Sequence, residues 1–274
     1  MRKEAHRSRQ SPPRGVLFEQ RLGQDVLLEH FEPSEHLRPW VTRFWFGRWD
    51  RRGKPPFPQT VIPHPCVNVE IVRGLPAMVA GVKSKSQSIS LRGRGAIFGV
   101  KFAPGAFRPL FGRSVALLTD RSVPIGSVFP GAEKWSALPA LRTTAAMVAR
   151  AESLLAPLVP KEIDAQLLRV TRIHDRIARD RSIVRVEAVA EIAKTSVRLV
   201  QQLLREWIGV TPKWVISRYR LHEAAARLAN DASTDVAAIA NELGYFDQAH
   251  FSRDFKRLVG MPPARYAAQY RSIL

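Results

Sequence analysis

Cysteine is nearly absent: Cys66 is the single one in 274 residues. One thiol excludes an intramolecular disulfide framework and a multi-cysteine zinc site, and it suits a reducing compartment. Long apolar runs are missing as well, so no stretch reaches the length that a membrane-spanning helix needs. The opening segment MRKEAHRSRQSPPRG is charged and lacks the apolar centre of a signal peptide; its composition predicts a disordered basic tail over residues 1–15. These absences lead to the expectation of a cytoplasmic protein with no membrane partner. There is also no Walker loop, nucleophile elbow or pair of histidines at helical spacing, so the reading is not an enzyme, and no cofactor or metal is expected.

Acidic residues are scarce beside basic ones, 24 against 43, which leaves a formal net charge of +19. That surplus favours a polyanionic partner such as nucleic acid over an acidic membrane surface. It is spread along the chain, with 24 basic and 11 acidic residues in 1–160 against 19 and 13 in 161–274. Arginine outnumbers lysine 33 to 10, and compositional bias alone can produce part of such an excess. Charge by itself therefore decides little.

What is present is a hydrophobic fraction of 45%, enough for a sizeable core and for two domains. Residues 16 to about 130 are punctuated by proline and glycine between short apolar runs. Two of these runs alternate as half-buried strands do: Val67, Val69 and Ile71 in VNVEIV, and Phe98, Val100 and Phe102 in IFGVKF. Beyond Trp135 the period becomes helical, through ALPALRTTAAMVARAESLL and then IDAQLLRVTRIHDRIARD. The expected fold class is α+β, with a β-rich domain and trailing helices over 16–175, and an all-α C-terminal domain over 176–274.

The C-terminal domain contains two similar units. In the first, a short helix from Val186 to Ala193 and the turn KTS lead to Ser196, which can cap a second helix running to about Trp207. In the second, Thr234 can cap a helix through Leu243, Gly244 supplies the turn, and Asp247 caps a helix to about Val259. Pro212 can start a linker helix between them that runs to Asn230. The pattern predicts two helix-turn-helix units joined by a helix.

The helices that end the two units are amphipathic. Val200, Leu203, Leu204 and Trp207 form one apolar stripe, and Phe251, Phe255, Leu258 and Val259 form the other. Opposite the first stripe stand Arg198, Gln201, Gln202 and Arg205, with no acidic residue among them. Opposite the second are His250, Arg253, Lys256 and Arg257, with Gln248 in the first turn and Ser252 on the flank. An arginine fork matches guanine O6 and N7, and a glutamine amide matches adenine N6 and N7. A solvated helix surface explains either face alone. Two such faces, each behind a turn, point to major grooves of double-stranded DNA.

The stretch VAAIANELGYFDQAHFSRDFKRLVGMPPARYAAQYR, Val236 to Arg271, closely resembles the second helix-turn-helix and tail of AraC/XylS-type bacterial transcription regulators. Leu243, Gly244, Tyr245, Phe251, Ser252, Arg253, Phe255, Lys256, Arg257, Gly260, Pro263 and Tyr266 carry that resemblance. Upstream, Gly209, Pro212, Arg220, Leu221 and Ala224 fit the first unit and linker helix. The first unit departs from the pattern: Leu204 stands where phenylalanine is usual, Gln202 where arginine is common, and Lys194 where glycine is frequent in the turn. The resemblance implies base contacts from Arg198, Gln201 and Gln202 in one helix and Gln248, His250, Ser252 and Arg253 in the other. Arg205 and Lys256 complete the expected DNA-binding set. The segments EPSEHLRPWVTRFWFGRWD, VIPHPCVNVEIV and GVKFAPGAFRPLFG resemble an uncharacterised N-terminal domain of some AraC-type regulators, which implies a small-molecule effector, homodimerisation, or both. RNA polymerase is a further partner that the family resemblance suggests. An enzyme fused to a DNA-binding module and a non-specific architectural protein stay open as alternatives.

Three smaller features are set aside. His64 and Cys66 in PHPC have no companion ligands in sequence and read as the start of a strand. The glycines of GRGAIFG miss the dinucleotide-binding spacing and precede no helix. Trp40, Phe44, Trp45, Phe46 and Trp49 read as core filling, with the lining of an effector pocket as the alternative.

Overall fold

The structure is a computed structural model that describes residues 25–230 and 235–271. The expected disordered tail over 1–15 and the expected capping residue Thr234 lie outside the described residues. Eight strands are found among them: β1 (Val26–Phe31), β2 (Val41–Arg51), β3 (Phe57–Val61), β4 (Asn68–Val72), β5 (Met78–Ala80), β6 (Gln87–Leu91), β7 (Gly93–Phe102) and β8 (Ser122–Pro124). Six make one antiparallel sheet in the order β1-β2-β7-β4-β5-β8, while β3 and β6 pair as a separate ribbon.

Period-two alternation sets the two faces of the sheet. Phe44 and Phe46 of β2, Phe98, Val100 and Phe102 of β7, and Val69 and Ile71 of β4 are all buried on the core face. Trp40 also joins the core. Trp45 and Trp49 do not: they point to the opposite face and are partly exposed. Their register partners are Gly99 and Gly95, where an added Cβ would meet each indole at 2.1 Å. The glycines of GRGAIFG therefore make room for two tryptophans, and core filling is corrected for Trp45 and Trp49.

Short helices α1 (Phe107–Phe111) and α2 (Ala132–Ser136) precede α3 (Thr144–Leu155) and α4 (Ala165–Arg179). Thr143 and Asp164 cap the last two, each accepting from a backbone N–H of the first turn. The expected domain division at residue 175 falls inside α4, whose buried residues Leu167, Val170, Ile173 and Ile177 face the core. After it come α5 (Val186–Ile192), α6 (Val197–Trp207), α7 (Pro212–Asn230), α8 (Val236–Glu242), α9 (Gln248–Val259) and α10 (Pro263–Arg271).

Two apolar clusters organise these elements. The first runs from the sheet through α3, α4, α5 and α6 to Val215 and Ile216 near the start of α7. The second joins Leu221, Ala224, Ala225 and Leu228 of α7 to α8, α9 and α10, with Ile62 beside β3 as its contribution from the N-terminal half. The first helix-turn-helix unit thus shares its core with the sheet. The second has a core of its own.

Candidate nucleic-acid interface

Each unit is built by the same local rules. Ser196 Oγ accepts from Leu199 N–H at 3.2 Å to start α6, and Asp247 Oδ1 accepts from His250 N–H at 2.6 Å to start α9. α8 is capped by Asp235, whose carboxylate accepts from Ala237 N–H at 2.9 Å; this residue, next to the expected Thr234, is the cap. Thr211 Oγ1 accepts from Trp214 N–H at 3.2 Å, and Pro212 fills the first position of α7, where a missing N–H costs nothing.

The two turns share one hydrogen-bond pattern, fifty residues apart. Lys194 N–H donates to Glu191 O at 3.0 Å and Thr195 N–H to Ala190 O at 3.0 Å. Gly244 N–H donates to Asn241 O at 2.8 Å and Tyr245 N–H to Ala240 O at 2.9 Å. Both turns need a left-handed residue, Lys194 at φ 49° and Gly244 at φ 67°.

Behind these turns the apolar stripes are buried as spacing predicts: Val200, Leu203, Leu204 and Trp207 in α6, and Phe251, Phe255, Leu258 and Val259 in α9. The faces opposite are open. Arg198, Gln201, Gln202 and Arg205 are exposed, and so are Gln248, His250, Arg253 and Lys256; Ser252 is partly exposed. The α6 face borders an open depression of about 410 Å³ that also includes Ser114 and Glu206. Glu206 corrects the expectation of a face without acidic neighbours, because it reaches the rim. There Arg108 of α1 pairs with it at 2.9 Å. On α9, Asp254 lies 3.6 Å from His250 Nε2 and 3.0 Å from Arg257, so part of that face is internally compensated.

Sequence reasoning named Arg220 only as a match to the linker helix and did not single out Phe246 or Arg108. Arg220 is buried, with its guanidinium 4.3 Å from the centre of the Tyr245 ring, and ties α7 to the second turn. Burial lowers the Arg220 pKa and pushes the Tyr245 hydroxyl up to about 12. Phe246, just before the cap of α9, is 94% exposed. A hydrophobic staple would pack it against Phe251, but Tyr245 takes that place, with ring centroids 5.3 Å apart. The third is Arg108, whose partner is 98 residues away and so has no local signature. His64 and Cys66 gather no metal ligands, and no group of three metal-binding side chains occurs among the described residues.

Residues 189–269 match a helix-turn-helix domain family, and residues 29–124 match a domain of unknown function, DUF6597. Residues 189–269 form an AraC-type helix-turn-helix domain. The "RCS-specific HTH-type transcriptional activator RclR" of Escherichia coli is 33% identical to the chain over 88 residues, which is 32% of the chain and 31% of that protein. A "Putative AraC-like transcription regulator" of Streptomyces lividans is 32% identical over 81 residues, or 30% of the chain and 26% of that protein. The chain thus spans less than a third of the length of each of these relatives. Among solved structures, the C-terminal domain of AraT, a response regulator from Geobacillus stearothermophilus, aligns with 37% of the chain and 84% of its own length, at 25% identity and a TM-score of 0.34. In the AraC-type domain of this chain, α6 and α9 are the second helices of their units. No helix among the described residues is long and apolar enough to cross a membrane.

Proposed function

We propose that the chain is a sequence-specific transcription regulator that lays α6 and α9 into adjacent major grooves of duplex DNA. The observation that carries this reading is the pairing of two capped helices behind equivalent turns, each with its apolar stripe buried and its amide and basic side chains in solvent. The 19 residues of α7 span about 28 Å at 1.5 Å per residue, close to the ~34 Å of one turn of B-DNA. A single chain can then address successive grooves on one side of the duplex.

Arg198, Gln201, Gln202, Gln248, His250, Ser252 and Arg253 are the residues proposed to meet base edges. Arg205 and Lys256 are assigned to phosphates, where they fix register and make affinity fall with salt. The names of the similar proteins, an activator and a regulator of transcription, support the same assignment. Residues 16–175 serve in this reading as the regulatory or dimerising part and 176–274 as the DNA-binding part, with a small-molecule effector, self-association and RNA polymerase as partners in the cytoplasm. The reading includes no catalytic step.

The test is a competition experiment. Genomic fragments captured by the full chain should hold their affinity against an excess of random duplex by about 10³-fold or more. Fragments displaced as readily as the random competitor would remove sequence-specific readout from the account.

A further inference from the structure

The two helix-turn-helix turns match in register, but the helices that follow them do not start at the same point. The turn hydrogen bonds of Lys194 and Thr195 recur at Gly244 and Tyr245, fifty positions on, whereas the caps Ser196 and Asp247 are fifty-one positions apart. The second unit therefore holds one residue more between turn and cap, and that residue is Phe246.

Phe246 closes no turn and fills no core. Its side chain is 94% exposed, while the next most exposed large apolar side chain among the described residues, Leu75, is 58% exposed. Single apolar residues at partial exposure are ordinary on a protein surface. A ring that almost nothing touches, in the turn that leads into α9, is a different case. The backbone on either side of it is braced. Tyr245 is buried, with its ring centre 4.3 Å from the Arg220 guanidinium and 5.2 and 5.3 Å from the rings of His250 and Phe251. On the other side Asp247 accepts from His250 N–H at 2.6 Å. The extra residue is thus held out from a fixed turn, in line with the exposed Gln248, Ala249 and His250 at the start of α9.

In the major groove each thymine presents one apolar group, its C5 methyl, and phenylalanine is among the side chains that contact it. Gln248 and His250 offer hydrogen bonds, which address the polar base edges and not that methyl. We infer that Phe246 reads the C5 methyl of a thymine at the edge of the base pairs that α9 meets. This rests on the DNA-binding reading above and adds to it an apolar determinant that has no counterpart between turn and cap of the first unit.

The experiment uses the full chain and a captured fragment. Each thymine of the α9 half-site, the half that Gln248→Ala weakens, is replaced in turn by deoxyuridine, which pairs identically and lacks only the C5 methyl. At one position the wild type should lose about fourfold in affinity, the value of one buried methyl. Phe246→Ala should lose at least about as much on the thymine fragment and nothing further when that thymine becomes deoxyuridine, so the two losses do not add. Its Tm should equal that of the wild type, because the ring packs on nothing. Indifference of the wild type to deoxyuridine at every thymine, a deoxyuridine loss that Phe246→Ala retains in full, or a half-site without thymine overturns the contact while leaving specific binding by α9 in place. A lower Tm for Phe246→Ala overturns it by showing that the ring is packed, and loss of self-association with unchanged DNA affinity gives the ring to a second copy of the chain instead. Ready displacement of the captured fragment by random duplex removes the DNA-binding reading itself, and the thymine contact with it.

Discussion

Lys194 and Gly244 occupy the same point of two turns, fifty residues apart, and both adopt left-handed backbone, at φ 49° and φ 67°. Only one of them is a glycine. A side chain in this conformation carries a cost of about 1–2 kcal/mol that glycine avoids. Lys194 is exposed, so its replacement sacrifices no packing. Lys194→Gly should therefore stabilise the chain by roughly 1 kcal/mol in equilibrium urea unfolding. The reverse experiment, Gly244→Ala, should destabilise it, since the new Cβ also comes within 3.3 Å of Val184. An unstable Lys194→Gly chain would contradict the assigned turn.

Phe255 is fully buried and packs its ring between Phe251 and Tyr266, with centroids 5.6 and 5.5 Å away. Phe255→Ala should cost about 3–5 kcal/mol, the range for emptying a close-packed aromatic site. Because the second unit has a separate apolar cluster, the loss should appear first there. Hydrogen exchange of α8 and α9 should accelerate more than that of the sheet, and equal acceleration throughout would argue against two clusters.

His30 sits on the outer sheet face, both ring nitrogens buried without a partner. Desolvation, helped by Arg43 and Lys101, lowers its pKa to about 4. The unfolded chain takes up this proton near pH 6.5 and the folded chain resists it until about pH 4. Folding stability attributable to His30 is thus present above the unfolded value and lost as pH falls from about 6.5 to about 4. Urea midpoints of wild type and His30→Gln, compared across that window, should converge in slope only outside it. Parallel curves throughout would show that His30 does not titrate as its burial implies.

The strands around Val69 and Phe98, both amphipathic stripes and the caps Ser196 and Asp247 were legible in the sequence because each rests on local periodicity or on one side chain meeting a backbone N–H nearby. Alternation alone does not say which face of a strand is the core, so Trp45 and Trp49 were misplaced until their glycine partners fixed the register. The docking of the first unit on the N-terminal half was invisible for a different reason. It depends on pairs such as Arg108 with Glu206 and on Thr119 Oγ1 donating to Gly209 O at 2.5 Å, contacts between residues about ninety or more positions apart. The polar residues of α6 and α9 could be named from spacing, but the rim position of Glu206 and the exposure of Phe246 required the fold.

Arg198 and Gln248 stand at the exposed N-terminal turns of α6 and α9, where helix tips enter a groove. Arg198→Ala and Gln248→Ala should each lower affinity for a selected fragment by about 1–3 kcal/mol and leave affinity for random duplex nearly unchanged. Lys256→Ala should weaken both equally and flatten the salt dependence. Equal loss on selected and random DNA for all three variants would reduce the interface to charge neutralisation.

The most direct measurement is a major-groove footprint of the full chain on a captured fragment, by guanine N7 methylation protection. The account predicts two protected segments on one side of the duplex, with centres about 10 base pairs apart. Arg198→Ala should lose protection in one segment and Gln248→Ala in the other. A single protected segment, or two that both variants erase together, would contradict two recognition helices acting in adjacent grooves.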